Sequence, residues 1–253
     1  EQLHILNFEY MYNGAGVAVG DVNNDGLTDI YFTANQGANK LYINKGDSEF
    51  EDITETAGVA GKPGWKTGVT MVDVNGDGLL DIYVCYSGKG DKLSRSNQLF
   101  INQGMKNGLP VFADKAAGLG LDAPGSNSTQ AVFFDYDRDG DLDMFLLNHA
   151  TTFYSPFFNT NKLRTKRHLY FSNYLFRNDG GHFSDVSEQA GIKGGGNNFG
   201  LGVAVSDINN DDWPDLYITN DYEEQDFLLL NNHDGTFLDV TKQSIAHISK
   251  YGM

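Results

Sequence analysis

One nine-residue pattern, with side-chain oxygens at positions 1, 3, 5 and 9, occurs four times in this chain and limits what it can fold into. Asp21 to Asp29 reads DVNNDGLTD, Asp73 to Asp81 reads DVNGDGLLD, Asp135 to Asp143 reads DYDRDGDLD, and Asp207 to Asp215 reads DINNDDWPD. Carboxylates or amides at alternate positions of a tight loop form a cage for a hard cation, since calcium takes roughly six to eight oxygen ligands. One such loop is compatible with a solvated acidic turn. Four at matching places in a repeat point to calcium, up to four ions.

Charge supports a local cause. Formal net charge is −16, and the four windows hold 15 of the 34 acids and one base, Arg138. Outside the windows the chain is close to neutral, so a general acidic surface is not the explanation. Nucleic acid is excluded as a partner class, because backbone binding needs a basic stripe. The single cysteine, Cys85, rules out an internal disulfide. It lies in the apolar run from Ile82 to Tyr86, where a small buried hydrophobe is its expected role. No apolar run approaches the length of a membrane span.

The first aspartates fall at 21, 73, 135 and 207, with spacings of 52, 62 and 72 residues. A repeat of this length is a question of architecture before anything else. Each loop lies between two short β-branched or aromatic runs, such as Gly68 to Val72 and Ile82 to Cys85 around the second. A third run follows, at Asn39–Asn44, Asn97–Asn102, Asn173–Asn178 and Asp226–Asn231. A fourth begins at Phe50, Phe112, Phe183 and Phe237, extending to Thr54, Asp114, Ser187 and Thr241. An Ala-Gly-apolar signature closes three repeats, at Ala57-Gly58-Val59, Ala117-Gly118-Leu119 and Ala190-Gly191-Ile192. Four short strands per repeat, with no segment sustaining a helical period over three turns, predict an all-β chain.

Four-stranded sheets at this period are the blades of a β-propeller. The expected repeats are 13–61, 65–121, 127–194 and 199–246, within a single propeller domain over 1–253. Propellers close to protect their strand edges, so about four blades of a longer ring are expected. Residues 247–253 would open a further blade, and Leu3 to Phe8 would be a strand of another.

The unit G-V-A-x-x-D-x-N-x-D-G-x-x-D-I-Y, followed by N-x-L-[YF]-x-N and F-x-D-[IV]-[ST]-x-x-A-G, resembles the FG-GAP or VCBS-type calcium-binding repeat. Within that group it is similar to the bacterial cartilage-acidic-protein-like family of the ASPIC and UnbV type. The resemblance covers nearly all of residues 13–253. It implies a calcium-bound propeller, often of seven blades, in an exported or surface-attached protein that serves in binding. Carried over loop by loop, it assigns ligands Asp21, Asn23, Asp25 and Asp29 with the Leu27 carbonyl, and Asp73, Asn75, Asp77 and Asp81 with the Leu79 carbonyl. It assigns Asp135, Asp137, Asp139 and Asp143 with the Asp141 carbonyl, and Asp207, Asn209, Asp211 and Asp215 with the Trp213 carbonyl. The fourth loop departs from the pattern, because Asp212 stands where the others have the turn glycine.

A calcium-sensor hand also begins D-x-[DN]-x-D-G, but it needs a bidentate Glu at position 12 on an exiting helix. Position 12 here is Phe32, Val84, Leu146 or Ile218, each in a strand-like run. No nucleophile elbow, phosphate loop or zinc signature appears, and the six histidines have no ligand spacing. The expectation is therefore a non-enzymatic protein.

Function is sought instead in the insertion from Ala150 to Ser172, where Tyr154, Phe157, Phe158, Arg164 and Arg167 are candidates for a partner surface. The expected protein is a calcium-stabilised binding or scaffold protein, extracellular or at a bacterial cell surface, with a protein partner in an outer-membrane assembly, or a glycan. The alternative is a lyase-like polysaccharide enzyme, which would need Arg164, Lys166, Arg167, His149 and His168 to converge with an acid. Lys89 to Ser96 is a lesser candidate loop, and Gly191 to Gly200 is expected to be a flexible connection.

Overall fold

The computed structural model describes residues 8–151, 161–164, 166–222 and 224–245. Its strands form four four-stranded antiparallel sheets, each a blade with its strands in chain order. The first blade is β1 (Val17–Gly20), β2 (Asp29–Phe32), β3 (Lys40–Asn44) and β4 (Phe50–Asp52). The second is β5 (Trp65–Val72), β6 (Asp81–Ser87), β7 (Gln98–Lys106) and β8 (Leu109–Asp114). The third is β9 (Ser128–Phe134), β10 (Asp143–Asn148), β11 (Tyr174–Asn178) and β12 (Phe183–Asp185). The fourth is β13 (Gly200–Ser206), β14 (Asp215–Asn220), β15 (Phe227–Asn231) and β16 (Phe237–Asp239). The all-β, propeller-type fold expected from the sequence is thus present. The expected opening of a further blade at 247–253 and residues 3–7 of the expected strand Leu3 to Phe8 lie outside the described residues, and Phe8 itself leads into a 3-10 turn, Glu9–Tyr12.

The first two blades form one compact unit, residues 1–125, and the last two another, residues 126–253. In the first unit, Val22, Tyr31, Leu41 and Ile43 share a buried cluster with Val69, Ile82, Val84 and Phe100 of the second blade. In the second unit, Phe145, Leu147 and Leu175 share one with Leu216, Ile218, Leu229 and Phe237. Side chains alternate across a strand. A blade that packs on both faces must therefore read as continuous apolar sequence, and β6 is buried from end to end. Cys85 lies in it, fully buried, with its thiol pushed far above the usual range by burial. That matches a packing role.

The innermost strands of the first unit approach so closely that a side chain at Gly16 would meet the Thr67 carbonyl at 2.9 Å. The Gly16 N–H donates to that same carbonyl, as does the Thr33 hydroxyl at 2.7 Å.

In the first, third and fourth blades the fourth run is shorter than its sequence implies, ending at the aspartate of the F-x-D motif, whereas β8 ends at Asp114 as expected and starts earlier, at Leu109. Asp52 Oδ1 accepts both the Thr54 N–H and the Thr54 hydroxyl, and Thr54 Oγ1 accepts the Leu41 N–H at 2.9 Å. This local bonding competes with the sheet ladder and turns the chain into a helical turn, α1 (Thr54–Ala57), capped by left-handed Gly58. Asp185 with Ser187 and Asp239 with Thr241 repeat the arrangement, capturing Leu175 and Leu228. In the second blade Ala116 lacks the hydroxyl, and Asp114 Oδ1 takes the Leu99 N–H itself, at 3.3 Å.

The closing signature of that blade also moves. The helical turn α2 (Ala116–Leu119) is capped by Gly120 at φ +76°. The counterpart of Ala57-Gly58-Val59 is therefore Leu119-Gly120-Leu121, and not Ala117-Gly118-Leu119. Buried tyrosine hydroxyls mark the register: Tyr31 donates to the Val59 carbonyl and Tyr83 to the Leu121 carbonyl, each at 2.7 Å.

Candidate metal centre

Each acidic loop joins the first and second strands of its blade, and its ninth residue opens the second strand. Asp29, Asp81, Asp143 and Asp215 are all fully buried. One carboxylate oxygen of each accepts the N–H of position 2 in its own loop, from Val22, Val74, Tyr136 or Ile208 at 2.9–3.1 Å. The other accepts the N–H of the last asparagine of the third strand, Asn44, Asn102, Asn178 or Asn231, at 2.8–2.9 Å. The pivot of each loop is thus a buried carboxylate held by two backbone donors. Burial, partly offset by those N–H donors, raises Asp29 above the usual carboxylate range, Asp81 to about 6 and Asp143 to about 7. Such groups favour either a proton or a cation.

Position 1 closes the turn. Asp21, Asp73, Asp135 and Asp207 each accept the N–H of positions 5 and 6, at 2.7–3.1 Å. The position 7 N–H, from Leu27, Leu79, Asp141 or Trp213, donates to the position 5 carboxylate at 2.8–2.9 Å.

Position 3 distinguishes the loops. Asn23, Asn75 and Asn209 donate their amide nitrogens to the position 5 carboxylates, at 2.7–2.9 Å. Asp137 cannot donate, and its Oδ1 is buried without a hydrogen-bond partner. Asp135, Asp137 and Asp143 bring one oxygen each to within 4.8 Å of one another. Burial first, and then the Asp139 charge, raise Asp137 above its ordinary range. Three clustered carboxylates, one of which has a buried oxygen without a partner, are a donor set that fits a hard cation.

The turn requires two left-handed residues. Position 6 is Gly26, Gly78 and Gly140 at φ +82° to +97°, and Asp212 at φ +68°. Asp212 therefore holds a left-handed conformation that glycine adopts at less cost. Asp212→Gly is expected to stabilise the protein by about 1 kcal/mol, read as a shifted urea midpoint. An unchanged or lower midpoint would contradict it. Position 4 is left-handed too, at Asn24, Gly76, Arg138 and Asn210, with φ +57° to +71°. Three of these four are Asn or Gly, the residues that best tolerate this region, which is the signal by which it was legible.

Position 4 also reaches the next loop. Asn24 Nδ2 donates to the Gly78 carbonyl at 3.2 Å, and the Arg138 guanidinium donates to the Asp212 carbonyl. Arg138 lies over the Trp213 ring at 4.8 Å, and that ring stacks on His233 at 4.7 Å. Burial works against ionisation at Asp211, but the Trp213 N–H and His233, whose Nε2 is 2.8 Å away, hold it below the usual range.

The basic residues of the insertion take separate partners. Arg164 pairs at 3.0 Å with Glu224, an acid 1% exposed that burial raises above its ordinary range and that Asn197 also contacts. Arg167 donates to the Asn173 carbonyl at 2.7 Å and lies over the Tyr174 ring at 5.2 Å. His168 stacks on Phe171 at 4.1 Å, and His149, fully buried, meets the Ala150 carbonyl at 3.1 Å. Lys166 is exposed. Tyr154, Phe157 and Phe158 lie outside the described residues.

The stretch Gly191 to Gly200 is not a flexible connection. Residues 194–200 are buried, and the Gly196 N–H donates at 3.0 Å to the Leu163 carbonyl in the turn α3 (Asn161–Arg164). A Cβ on Gly195 would collide with that carbonyl, so glycine is needed there for close approach. Gly195→Ala is expected to destabilise by about 1–3 kcal/mol, measured by urea unfolding. A loss below about 0.5 kcal/mol would show that the contact yields freely.

Residues 21–84, from the first acidic loop through the second, match the FG-GAP-like repeat. That segment is an FG-GAP-like repeat. The chain is 30% identical over 208 residues to cartilage acidic protein 1 of Xenopus tropicalis, covering 82% of this chain and 29% of that protein. The human protein of that name is 29% identical over 163 residues, covering 60% of this chain and 24% of its own length. The mouse protein is 29% identical over 147 residues, covering 57% and 22%. The chain thus spans less than a third of the length of the curated relatives it matches. A looser likeness, with a TM-score of 0.44 and 20% identity, is to a solved chain described as an Agrocybe aegerita lectin recognising non-reducing terminal N-acetylglucosamine. It covers 87% of this chain and 49% of that one.

Proposed function

We propose that the four loops hold calcium as structural ions, and that the blades they brace form a binding or scaffold module of an extracellular or cell-surface protein. The observation that carries the calcium reading is the third loop, where Asp135, Asp137 and Asp143 each bring one carboxylate oxygen to within 4.8 Å of the others and Asp137 keeps a buried oxygen, Oδ1, without a hydrogen-bond partner. In each loop the side chains of positions 1, 3, 5 and 9 and the carbonyl of position 7 would hold the ion. Bound there, calcium supplies positive charge that turns repulsion between neighbouring carboxylates into a cross-link of two strands. Extracellular calcium modules bind with dissociation constants of about 10⁻⁴–10⁻³ M, so the loops would fill in a calcium-rich compartment.

The likeness to cartilage acidic protein 1 supports an exported location, and we place the chain at a bacterial outer surface with a protein or glycan partner. The separate partners taken by Arg164, Arg167, His149 and His168 favour a binding role over catalysis, since convergence on one acid was the arrangement a polysaccharide-cleaving site would need. The test is recovery of partners by the intact protein from its native envelope, in calcium and in chelator, with a parallel assay for polysaccharide depolymerisation. Calcium-dependent recovery of a defined partner, without depolymerisation, is expected. Depolymerisation lost with chelation would overturn the binding reading in favour of an enzyme.

A further inference from the structure

The third-strand asparagines of the second and fourth blades hold more than their own loops. The Asn102 N–H donates to Asp81 Oδ1 at 2.8 Å, while its Nδ2 donates to the Val22 carbonyl, in the preceding loop, at 2.9 Å. The Val22 N–H in turn donates to Asp29 Oδ2 at 2.9 Å. Two residues therefore connect the buried carboxylates of adjacent loops. The second unit repeats the device. The Asn231 N–H donates to Asp215 Oδ1 at 2.9 Å, its Nδ2 to the Tyr136 carbonyl at 2.8 Å, and the Tyr136 N–H to Asp143 Oδ2 at 3.0 Å. All four connecting residues, Val22, Asn102, Tyr136 and Asn231, are at most 4% exposed. A second link runs outside each pair, from Asn24 to the Gly78 carbonyl and from Arg138 to the Asp212 carbonyl.

We propose that neighbouring loops bind their ions cooperatively, with Asn102 and Asn231 as the positioning residues that carry the coupling. The proposal rests on the calcium reading of the loops. An ion held by Asp143 fixes that carboxylate and, through its N–H donor, the backbone of Tyr136. The Tyr136 carbonyl then fixes the Asn231 side chain, whose own N–H aims Asp215. A close-packed surround leaves these groups little room to adjust independently, and any such coupling is reciprocal between the two sites.

Terbium, a luminescent stand-in for calcium, reads the pair in the second unit. Trp213 is position 7 of the fourth loop, and in a Trp65→Phe parent it is the sole tryptophan. Asp139→Asn disables the third loop and Asp211→Asn the fourth, each at position 5. Coupling predicts that terbium emission excited through Trp213 reaches its midpoint in the parent at a concentration at least about fivefold below that of either single-loop variant. Asn231→Ala, with every ligand intact, should reduce the parent curve to the sum of the two single-loop curves. If that variant fails to fold, judged by circular dichroism, the parent against the single-loop variants decides alone. A parent curve equal to that sum from the outset overturns cooperativity and leaves the calcium reading standing. Absence of any terbium emission that calcium displaces overturns the calcium reading itself.

Discussion

Asp81→Ala, measured in calcium, is expected to destabilise the protein by about 3–5 kcal/mol, more than any substitution at an exposed loop position. Asp81 is fully buried and accepts the Val74 N–H at 3.1 Å and the Asn102 N–H at 2.8 Å. Its removal leaves two backbone donors without a partner, at about 1–3 kcal/mol each, and takes an anionic ligand from the second loop. Asp77→Ala removes a ligand at an exposed position. The Leu79 N–H and Asn75 amide that Asp77 accepts lie at the surface and can turn to water, so most of its loss should come from the ion and should disappear in chelator. Urea unfolding of both variants, with and without calcium, separates the two contributions. Equal losses for Asp81→Ala and Asp77→Ala in calcium would show that the buried aspartate is not the pivot of its loop.

Chelation should lower the melting temperature by about 10–20 °C, with calcium restoring it. At free calcium about a hundredfold above the dissociation constant, each filled site stabilises by about 2.7 kcal/mol. Two filled sites then give the stated shift, at about 2–4 °C per kcal/mol for a chain of this size. Protons compete for the same carboxylates, and the sign can be worked out. Asp81 and Asp143 are raised by burial to about 6 and about 7. Without the ion, the folded state therefore binds protons that the unfolded state releases, and stability is lost as pH rises through these values. In calcium the ion occupies those carboxylates at high pH and is displaced as pH falls. The melting temperatures with and without calcium should converge between pH 8 and pH 5. An equal gap at both ends of that range would contradict ion binding at the buried aspartates.

Much of the fold was legible because every repeat carries the same punctuation. An acidic loop with a turn residue in left-handed geometry marks the passage from first to second strand, and apolar runs bounded by Asn and Gly mark the others. What the sequence hid were roles played by side chains toward backbone. Asn44, Asn102, Asn178 and Asn231 look like polar strand ends, yet each binds a buried carboxylate through its N–H and shores up the loop through its amide. The recurrence of Asn44, Asn102 and Asn178 as the last residue of N-x-L-[YF]-x-N, and of Asn231 at the same place in the diverged run Asp226–Asn231, was the available signal.

In three blades the expected fourth strand is too long because β-branched Ile53, Val186 and Val240 have good strand propensity, while the local Asp-to-hydroxyl bonding at Thr54, Ser187 and Thr241 that turns the chain does not show in hydrophobic pattern. The mis-set closing signature at Ala117-Gly118-Leu119 came from identity outweighing geometry, since only Gly120 adopts the left-handed cap. Composition also misled at Gly191 to Gly200. Glycines there serve close packing against the Leu163 carbonyl, which a sequence of small residues cannot distinguish from a loose linker.

The central claim is that the four loops bind calcium and that the ion braces the blades. Equilibrium dialysis of metal-stripped protein against labelled calcium tests it most directly, with binding counted per chain. Uptake approaching four equivalents per chain at millimolar calcium is predicted, falling by at least one equivalent in Asp139→Asn, where the third loop is disabled. No uptake above that of an acidic protein without such loops, at 10 mM calcium on the order of tenfold above the weakest expected dissociation constant, would contradict it.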